Sequence, residues 1–450
     1  MSMRVTRRRF LKQSVGAGAL ILAAPGMART YAANGKLDIA FIACDGRGWS
    51  HVQEFKKENG VALCEPELGR TEKAKKIFPN AKVFQDYRKM LDAIHSEIDA
   101  VVVATPDHHH AAAATRALAL KKHVYCEKPL TWSIHEARVM ADMARKAKVA
   151  TQMGNQGHAN QGNRHVVEWI RGGAIGEVKE VHTWTNRPVW PQGYAELPPK
   201  EEVPKDLDWD IWCGPGPFRE RRENMHPFKW RGWIDYGTGT IGDMGCHTWD
   251  CVWWSMDPKA ALSCELIKAD GRNDITYPKN MILKWEFGPN EWRPGFSAFW
   301  YDGGWTPPVP EEILNDPTRK KKELIKSGNL FVGTKGKLYV EGDYSETPRL
   351  IPESAMQAYV QKGLPEQIPA SPGHHAEFLL AAKGEQPWDY PKSNFTYGGP
   401  LVEAMLLGCV ACRAGGKVEW DPVNLKIKND PKADRYVRRE FRKGWELVTG

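Results

Sequence analysis

Leu37-Asp38-Ile39-Ala40-Phe41-Ile42-Ala43-Cys44 runs directly into Asp45-Gly46-Arg47-Gly48-Trp49-Ser50-His51, and this junction decides the fold. A near-continuous apolar run that ends in a glycine turn reads as a strand buried on both faces. Working outward, Val61–Cys64, Ala100–Ala104, His123–Cys126 and Val149–Met153 repeat the pattern. Between them, Gln53–Glu58, Thr71–Ile77, Tyr87–Ile94, His110–Leu120 and Ile134–Lys146 carry helix-like spacing. Strand–helix alternation of this kind predicts a parallel, doubly wound α/β sheet.

Beyond about residue 155 the texture changes. A helix near Asn163–Gly172 leads into a strand-like Glu177–Thr185, then into a long, irregular, Pro- and Trp-rich stretch, Arg187–Pro217. Gly237–Trp254 reads as a glycine-rich turn opening a helix. Segments 280–287, 296–301, 329–332 and 337–341 read as strands joined by turns, and a helix at 401–413 follows. The expected architecture is an N-terminal Rossmann dinucleotide-binding domain, residues 34–155, and a C-terminal α/β domain with a largely antiparallel open sheet, residues 156–450.

The 450 residues are 42% hydrophobic and 26% charged, ordinary values for a folded, water-soluble chain. The formal net charge is +8, but residues 1–33 hold six positive and no negative side chains, which leaves about +2 for the rest. A body this close to neutral, with no basic run, argues against a nucleic-acid partner. Thr6-Arg7-Arg8-Arg9-Phe10-Leu11-Lys12, the short apolar run Val15–Ala24 and the Ala32-Ala33 pair form an address rather than a fold element. They resemble a twin-arginine (Tat) signal, which implies export to the periplasm as a folded protein and no membrane association after cleavage. Nine cysteines are scattered. Cys44, Cys64 and Cys126 end strands, where a small buried hydrophobe suffices. Cys409-x-x-Cys412 lacks the second pair or histidine that a zinc site needs.

The turn after the first strand is where a dinucleotide pyrophosphate would meet a helix N-terminus. A G-x-G-x-x-G pattern aligns at 43, 45 and 48, and only Gly48 fits. Asp45 puts a negative charge where the backbone should approach phosphate. Gly46, with access to positive φ, and Arg47, able to pair with phosphate, offer compensation. Taken alone, the motif is nearly as compatible with an ordinary tight turn. Glu65, about 20 residues on, ends the second strand, where a carboxylate accepts adenosine ribose hydroxyls and favours NAD over NADP. A solvated loop glutamate is the plainer alternative.

Two further strings are more specific: Ala104-Thr105-Pro106-Asp107-His108-His109-His110, and Lys122-His123-Val124-Tyr125-Cys126-Glu127-Lys128-Pro129-Leu130. Both sit at strand carboxyl ends, where open α/β sheets bind ligands. Together they resemble the T-P-x-x-x-H and E-K-P pattern of the glucose–fructose oxidoreductase/inositol dehydrogenase (Gfo/Idh/MocA) family, and the resemblance extends from about residue 37 into the C-terminal domain. It implies a nicotinamide cofactor, NAD rather than NADP, held by Asp45, Gly46, Arg47, Gly48, Trp49, Glu65, Thr105, Pro106, His110, Glu127 and Lys128. It also implies a homodimer or homotetramer. The three consecutive histidines point in different directions, so no metal is expected. The Lys128-Pro129 bond is a candidate cis peptide.

Asp243 and His247, in Gly242-Asp243-Met244-Gly245-Cys246-His247, are four apart and share a helix face, with Cβ atoms roughly 6 Å apart. A carboxylate beside an imidazole suits proton transfer, though such pairs are commonly surface features. Coupled to E-K-P, the D-x-x-x-H string resembles the family's catalytic signature. The resemblance implies Lys128 between cofactor and substrate, His247 as general base and Asp243 as the group that binds substrate hydroxyls and tunes the pair. Asn155, Gln156 and Arg231 join them as candidate substrate contacts, with hinge packing the alternative for the first two. Nineteen tryptophans exceed the usual content, and most are expected in the core.

Three functions fit these residues. The first is hydride transfer at a hydroxyl carbon of a sugar, polyol or glycoside, with a tightly held, recycled cofactor. The second is a redox-neutral glycosidase working through a transient keto-sugar. The third is a binding protein that kept the fold without the chemistry. The exported chain is expected to begin near residue 34. N-terminal sequencing checks this, and an intact Met1 on a cytoplasmic protein would contradict it.

Overall fold

The computed structural model describes residues 35–365 and 367–449. The twin-arginine segment and its cleavage site, at 1–33, lie outside the described residues.

Six strands form a wholly parallel sheet: β1 (Asp38–Ile42), β2 (Asn59–Cys64), β3 (Lys82–Phe84), β4 (Ala100–Val103), β5 (His123–Cys126) and β6 (Thr151–Met153). Their order is β3-β2-β1-β4-β5-β6, so the chain reverses direction across the sheet between β1 and β4. That reversal opens a crevice at the strands' carboxyl ends. Every residue of β4 and β5 is buried, as their unbroken apolar character requires. The intervening helices are α1 (Arg47–Glu54), α2 (Glu72–Ile77), α3 (Tyr87–Ile94), α4 (Asp107–Ala119) and α5 (Ile134–Ala147). A reciprocal Ser133–Glu136 capping box fixes the start of α5.

Two elements of this first half depart from the sequence reading. The helix expected at Gln53–Glu58 begins six residues earlier, because the glycine turn is itself the helix start. Gly46 takes φ 56°, and a Cβ on Gly48 would lie 2.1 Å from the Ala43 carbonyl oxygen. The three-residue edge strand β3 carries no apolar alternation, so periodicity could not reveal it.

The second half contains α6 (Gln161–Arg171), β7 (Val178–Trp184), α7 (Trp209–Cys213), α8 (Gly239–Thr248), α9 (Asp250–Met256), β8 (Ala261–Asp270), β9 (Asn280–Phe287) and β10 (Phe296–Tyr301). Then come α10 (Glu311–Leu314), β11 (Gly328–Gly333), β12 (Lys337–Glu341), β13 (Thr347–Ile351), α11 (Glu353–Gln361), α12 (His374–Ala382), α13 (Phe395–Ala414), β14 (Lys417–Asp421) and β15 (Lys426–Ile427). Its nine strands lie in the order β13-β12-β11-β7-β10-β9-β8-β14-β15. Apart from the parallel β7–β10 pair, neighbours run antiparallel. Burial alternates strictly along β9, the mark of a sheet with one covered face. β8, β13, β14 and β15 were not anticipated: β8 and β13 mix polar and apolar residues without a clean period, β15 has only two residues, and β14, although it alternates, is five residues long in a polar stretch.

Helix α13 joins the halves. By length and composition it could cross a membrane, but it is buried along most of its length, as a core helix is. Small residues let it approach closely: a Cβ on Gly399 would fall 2.7 Å from Ala141 of α5, and one on Gly408 would strike Trp285 of β9 at 2.5 Å. The nine cysteines are all free and buried.

The C-terminal tail returns to the first domain. Trp445 packs edge-on against Tyr87 and His109 at 5.7 and 5.5 Å, with Arg88 3.6 Å above its ring. Buried Arg439 donates to the carbonyls of His108 (3.1 Å) and Asp235 (3.4 Å) and faces Glu136 at 3.8 Å. Removing one member of such a pair strands the other charge. Arg439→Ala should therefore destabilise the protein by roughly 3–5 kcal/mol, read from the shift of its denaturant midpoint.

Candidate functional site

Two adjoining cavities open at the carboxyl ends of the parallel sheet. The larger, about 510 Å³, is walled by the ends of β1, β2, β4 and β5 on one side and by the 204–231 segment on the other. The smaller, about 250 Å³, lies toward α8 and the β12–β13 turn. Arg47, Lys128, Phe228 and Arg231 line both.

Lys128, on the cis Lys128-Pro129 turn after β5, stands at that shared wall. Its Nζ donates to Asp243 Oδ1 at 2.8 Å and to the Asp243 carbonyl at 2.6 Å. Arg231 Nε donates to the same Oδ1 at 3.0 Å. Burial pushes the Asp243 carboxyl up, but Lys128 and Arg231 outweigh it and hold the group far below the usual carboxylate range. Arg231 is itself fixed between Phe228 and Trp230, at 4.5 and 4.4 Å from the ring centres. His247 lines the smaller cavity one helical turn from Asp243. Lys128, Asp243 and His247 thus meet at one place, although E-K-P and D-x-x-x-H are over a hundred positions apart.

The meeting differs in one respect from the expectation. Asp243 does not orient His247: two cations take its carboxylate, and a neutral imidazole cannot compete with them. His247 has no hydrogen-bond partner among the described residues, and its Nδ1 is buried and unpaired. Tyr344 closes edge-on over its ring at 4.8 Å. Burial, then the Lys128 charge, lower the imidazole pKa to about 3, so His247 is neutral at working pH.

Asp45, Gly46, Arg47, Glu65, Thr105, Pro106, Glu127 and Lys128 all line the larger cavity. Gly48, Trp49 and His110 do not. Gly48 is needed for the tight turn, and Trp49 sits on the flank of α1. His110 is fully engaged behind the wall, with Nδ1 2.6 Å from the Pro129 carbonyl and Nε2 2.8 Å from that of Thr105. Asp45 is neutralised by Arg70 (3.3 Å) and Lys73 (3.2 Å), not by Arg47. Arg47 instead donates to Glu127 (2.8 Å) and Gln156 (3.1 Å), because Glu127 is buried and needs a counter-ion. Glu127 Oε1 also meets His51 Nε2 at 2.9 Å. Burial favours the protonated acid, yet Arg47 and His51 keep Glu127 well below its ordinary value.

Gln156, Arg231, Asp243 and His247 line the smaller cavity, but Asn155 does not. Asn155 is fully buried, accepting from Ser393 Oγ at 2.5 Å and donating to the Cys246 carbonyl at 3.4 Å, so it belongs to the hinge. Sequence reading missed His51, Arg187, Asp343 and Tyr344. Asp343 and Tyr344 sit in the Gly342–Ser345 turn, whose only sequence signal is an ordinary loop composition. His51 stands just past the glycine turn, in the helix it opens, without a signal of its own, and Arg187 lies in the irregular Pro- and Trp-rich stretch.

The polar atoms left without partners point to ligands. Thr105 Oγ1 is orphaned beside the larger cavity, and His247 Nδ1 and Asp343 Oδ1 beside the smaller. Glu65 Oε1 accepts the backbone N–H groups of Cys44 (2.8 Å) and Asp45 (3.1 Å), leaving Oε2 for a ribose hydroxyl. These residues fit a dinucleotide: α1 presents its N-terminus, Glu65 a diol acceptor, and Thr105 a hydroxyl.

Residues 43–155 match the GFO/IDH/MocA model described as an oxidoreductase family with an NAD-binding Rossmann fold, and residues 170–276 match that family's C-terminal alpha/beta domain. The chain is similar to an uncharacterized oxidoreductase of Streptococcus pneumoniae serotype 4, 36% identical over 132 residues, covering 29% of this chain and 32% of that one. It is also similar to an alpha-N-acetylgalactosaminidase of Shewanella oneidensis, 27% identical over 152 residues, covering 31% and 33%. The chain thus spans about a third of the length of these curated relatives. Among solved structures, the WlbA dehydrogenase from Bordetella pertussis, in complex with NADH and UDP-GlcNAcA, superimposes with TM-score 0.58 at 17% identity, covering 86% of this chain and 99% of that one. This last likeness is one of fold. The first domain is an NAD-binding Rossmann domain, and its cofactor is NAD.

Burial pushes the Glu65 carboxyl up to about 7. The ionised form accepts ribose hydroxyls more strongly. NAD affinity should therefore rise as pH climbs through about 7, and Glu65→Gln should flatten that dependence in NADH fluorescence titrations. Stability of the nucleotide-free protein carries the opposite sign. The Glu65 contribution is complete below the ordinary glutamate value of 4.5 and is lost as pH rises through about 7.

Proposed function

We propose that this chain, whose residues 43–155 and 170–276 match the two domain models of the GFO/IDH/MocA oxidoreductase family, transfers hydride to or from a hydroxyl carbon of a sugar, polyol or glycoside. The observation that carries this reading is Lys128, placed on the wall between the nucleotide cavity and the cavity that holds Asp243 and His247. NAD would be held at its adenosine end by Glu65 and would supply the hydride acceptor and donor. The rest follows from the protein's own groups. Lys128 Nζ hydrogen-bonds the reacting hydroxyl and stabilises the oxyanion character that grows as the carbon–hydrogen bond breaks. His247, neutral and with both nitrogens unengaged, takes the hydroxyl proton at the same stage. Asp243 keeps Lys128 and Arg231 aimed into the cavity. Gln156, Arg187, Asp343 and Tyr344 offer the mixed polar and aromatic lining that a polyhydroxylated ring needs.

The twin-arginine segment supports export of the folded, loaded protein to the periplasm. No free NAD pool is expected there, so a cofactor that stays bound and is recycled within the site fits the compartment. The similarity to an alpha-N-acetylgalactosaminidase favours one second reading. A hydroxyl oxidised transiently to a ketone acidifies the adjacent C–H, the aglycone leaves by elimination, water adds, and the hydride returns. Hydride and protons then balance with no external oxidant.

Lys128→Ala should keep its nucleotide but lose turnover by ~10²-fold or more, the scale of a lost acid–base group. Nucleotide released on denaturation and turnover on sugar panels check the two halves. Cleavage of a glycoside with no net NADH favours the second reading, and a net oxidised sugar the first.

A further inference from the structure

We propose that the 204–231 segment is part of the nucleotide site and that Trp212 and His226 read the adenine base. This rests on the larger cavity being the NAD site. Trp212 is 1% exposed, lines that cavity and leaves its indole Nε1–H with no acceptor. His226, its ring 5.7 Å from that of Trp212, lines the same cavity and leaves Nδ1 unpaired. A buried indole N–H and a buried ring nitrogen both lacking partners are costly unless a ligand meets them.

The two orphans have opposite character. His226 Nε2 lies 2.7 Å from Glu67 Oε2. A neutral imidazole donating to that carboxylate carries its proton on Nε2, so Nδ1 is an acceptor. Trp212 Nε1 is a donor only. A donor beside an acceptor complements the edge of adenine, which offers a ring nitrogen as acceptor and an exocyclic amino group as donor. Hypoxanthine has a carbonyl in place of that amino group, which reverses the second contact.

The pair sits where adenosine would lie. Glu67 follows Glu65 by two positions, and the loop that carries both is stitched to the segment by Leu68 N to Asp206 O (3.1 Å) and Asp208 N to Pro66 O (2.9 Å). From the opposite side, the Trp212 carbonyl is held by His108 Nε2 at 3.0 Å and His109 Nε2 at 2.8 Å. The otherwise unexplained histidine run thus anchors the strand-end loop to the base-reading residue.

Exchange of bound NADH against NAD and against nicotinamide hypoxanthine dinucleotide, followed by NADH fluorescence, tests the proposal. NAD should displace NADH at least about tenfold more effectively than the hypoxanthine analogue, the scale of one hydrogen bond replaced by a repulsive contact. Trp212→Phe, which keeps the ring and removes only the donor, should speed NADH release about tenfold while the nucleotide-free protein melts as before. Equal competition by the two dinucleotides overturns the proposal, as does unchanged release from Trp212→Phe. If that variant does not fold, the analogue comparison in the native protein still decides. Failure of the native protein to bind any NADH would instead bring down the cofactor assignment, and this inference with it.

Discussion

The ion pair between Lys128 and Asp243 is the constraint on which the rest of the molecule depends. Its members come from different domains, 115 positions apart, and their side chains are only 12% and 13% exposed. Two charges so nearly withdrawn from water must find each other, because either one alone would be strongly unfavourable. The turn after β5 and the first turns of α8 are therefore locked at one spacing. Arg231 adds a second cation, and the aromatic rings around it hold that cation still. Behind Lys128, Glu127 has its own partners in Arg47 and His51, so adjacent residues of one turn face opposite ways without sharing a counter-ion. The groups that would touch substrate are also the groups that set the two domains against each other.

Much of this was legible in the chain. Strands buried on both faces announce themselves by unbroken apolar runs, and β1, β4 and β5 fall where Leu37–Cys44, Ala100–Ala104 and His123–Cys126 place them. Strands with a strict alternation, such as β9, are equally plain. The convergence of Lys128, Asp243 and His247 was readable only through the family resemblance of two short strings, since E-K-P ends a strand of the parallel sheet while D-x-x-x-H lies on a helix of the second domain. Which partner each charged group takes was not readable. Arg47 was expected to compensate for Asp45, yet the deeper Glu127 claims it while Arg70 and Lys73 take Asp45. Asp243 was expected to tune His247, yet Lys128 and Arg231 hold it. In each case the outcome depends on burial and on cations brought in from distant sequence, neither of which local spacing encodes. Asn155 shows the same limit, since a polar residue beside a hinge looks identical whether it faces the cleft or the Ser393 hydroxyl.

The three consecutive histidines show how one turn can serve several masters. His108 reaches the carbonyls of Tyr236 and Trp212, His109 reaches Trp212 and Tyr87, and His110 reaches Pro129 and Thr105. His108 and His109 converge on the one Trp212 carbonyl, their ring centres 4.4 Å apart, while His110 turns away to the Lys128-Pro129 turn, so the run fastens the end of α7 and the turn after β5 to one helix start. Burial holds all three below the usual imidazole pKa, so each ring has a single N–H to give, and of the two carbonyls that face His108, and of the two that face His110, only one can receive it.

The path of the C-terminal tail has a consequence for how the protein comes into being. Tyr87 and His109 are covered by Trp445, and the His108 carbonyl is met by Arg439. During synthesis the ribosome delivers the parallel sheet first, but the residues that close its flank come much later. The N-terminal half must wait with an aromatic patch uncovered while more than three hundred residues follow, and contacts of such long separation form slowly. Maturation of the nucleotide domain is thereby tied to the synthesis of Arg439 and Trp445. A prematurely terminated chain would lack the seal, and would be marked as unfinished by the surface it leaves open.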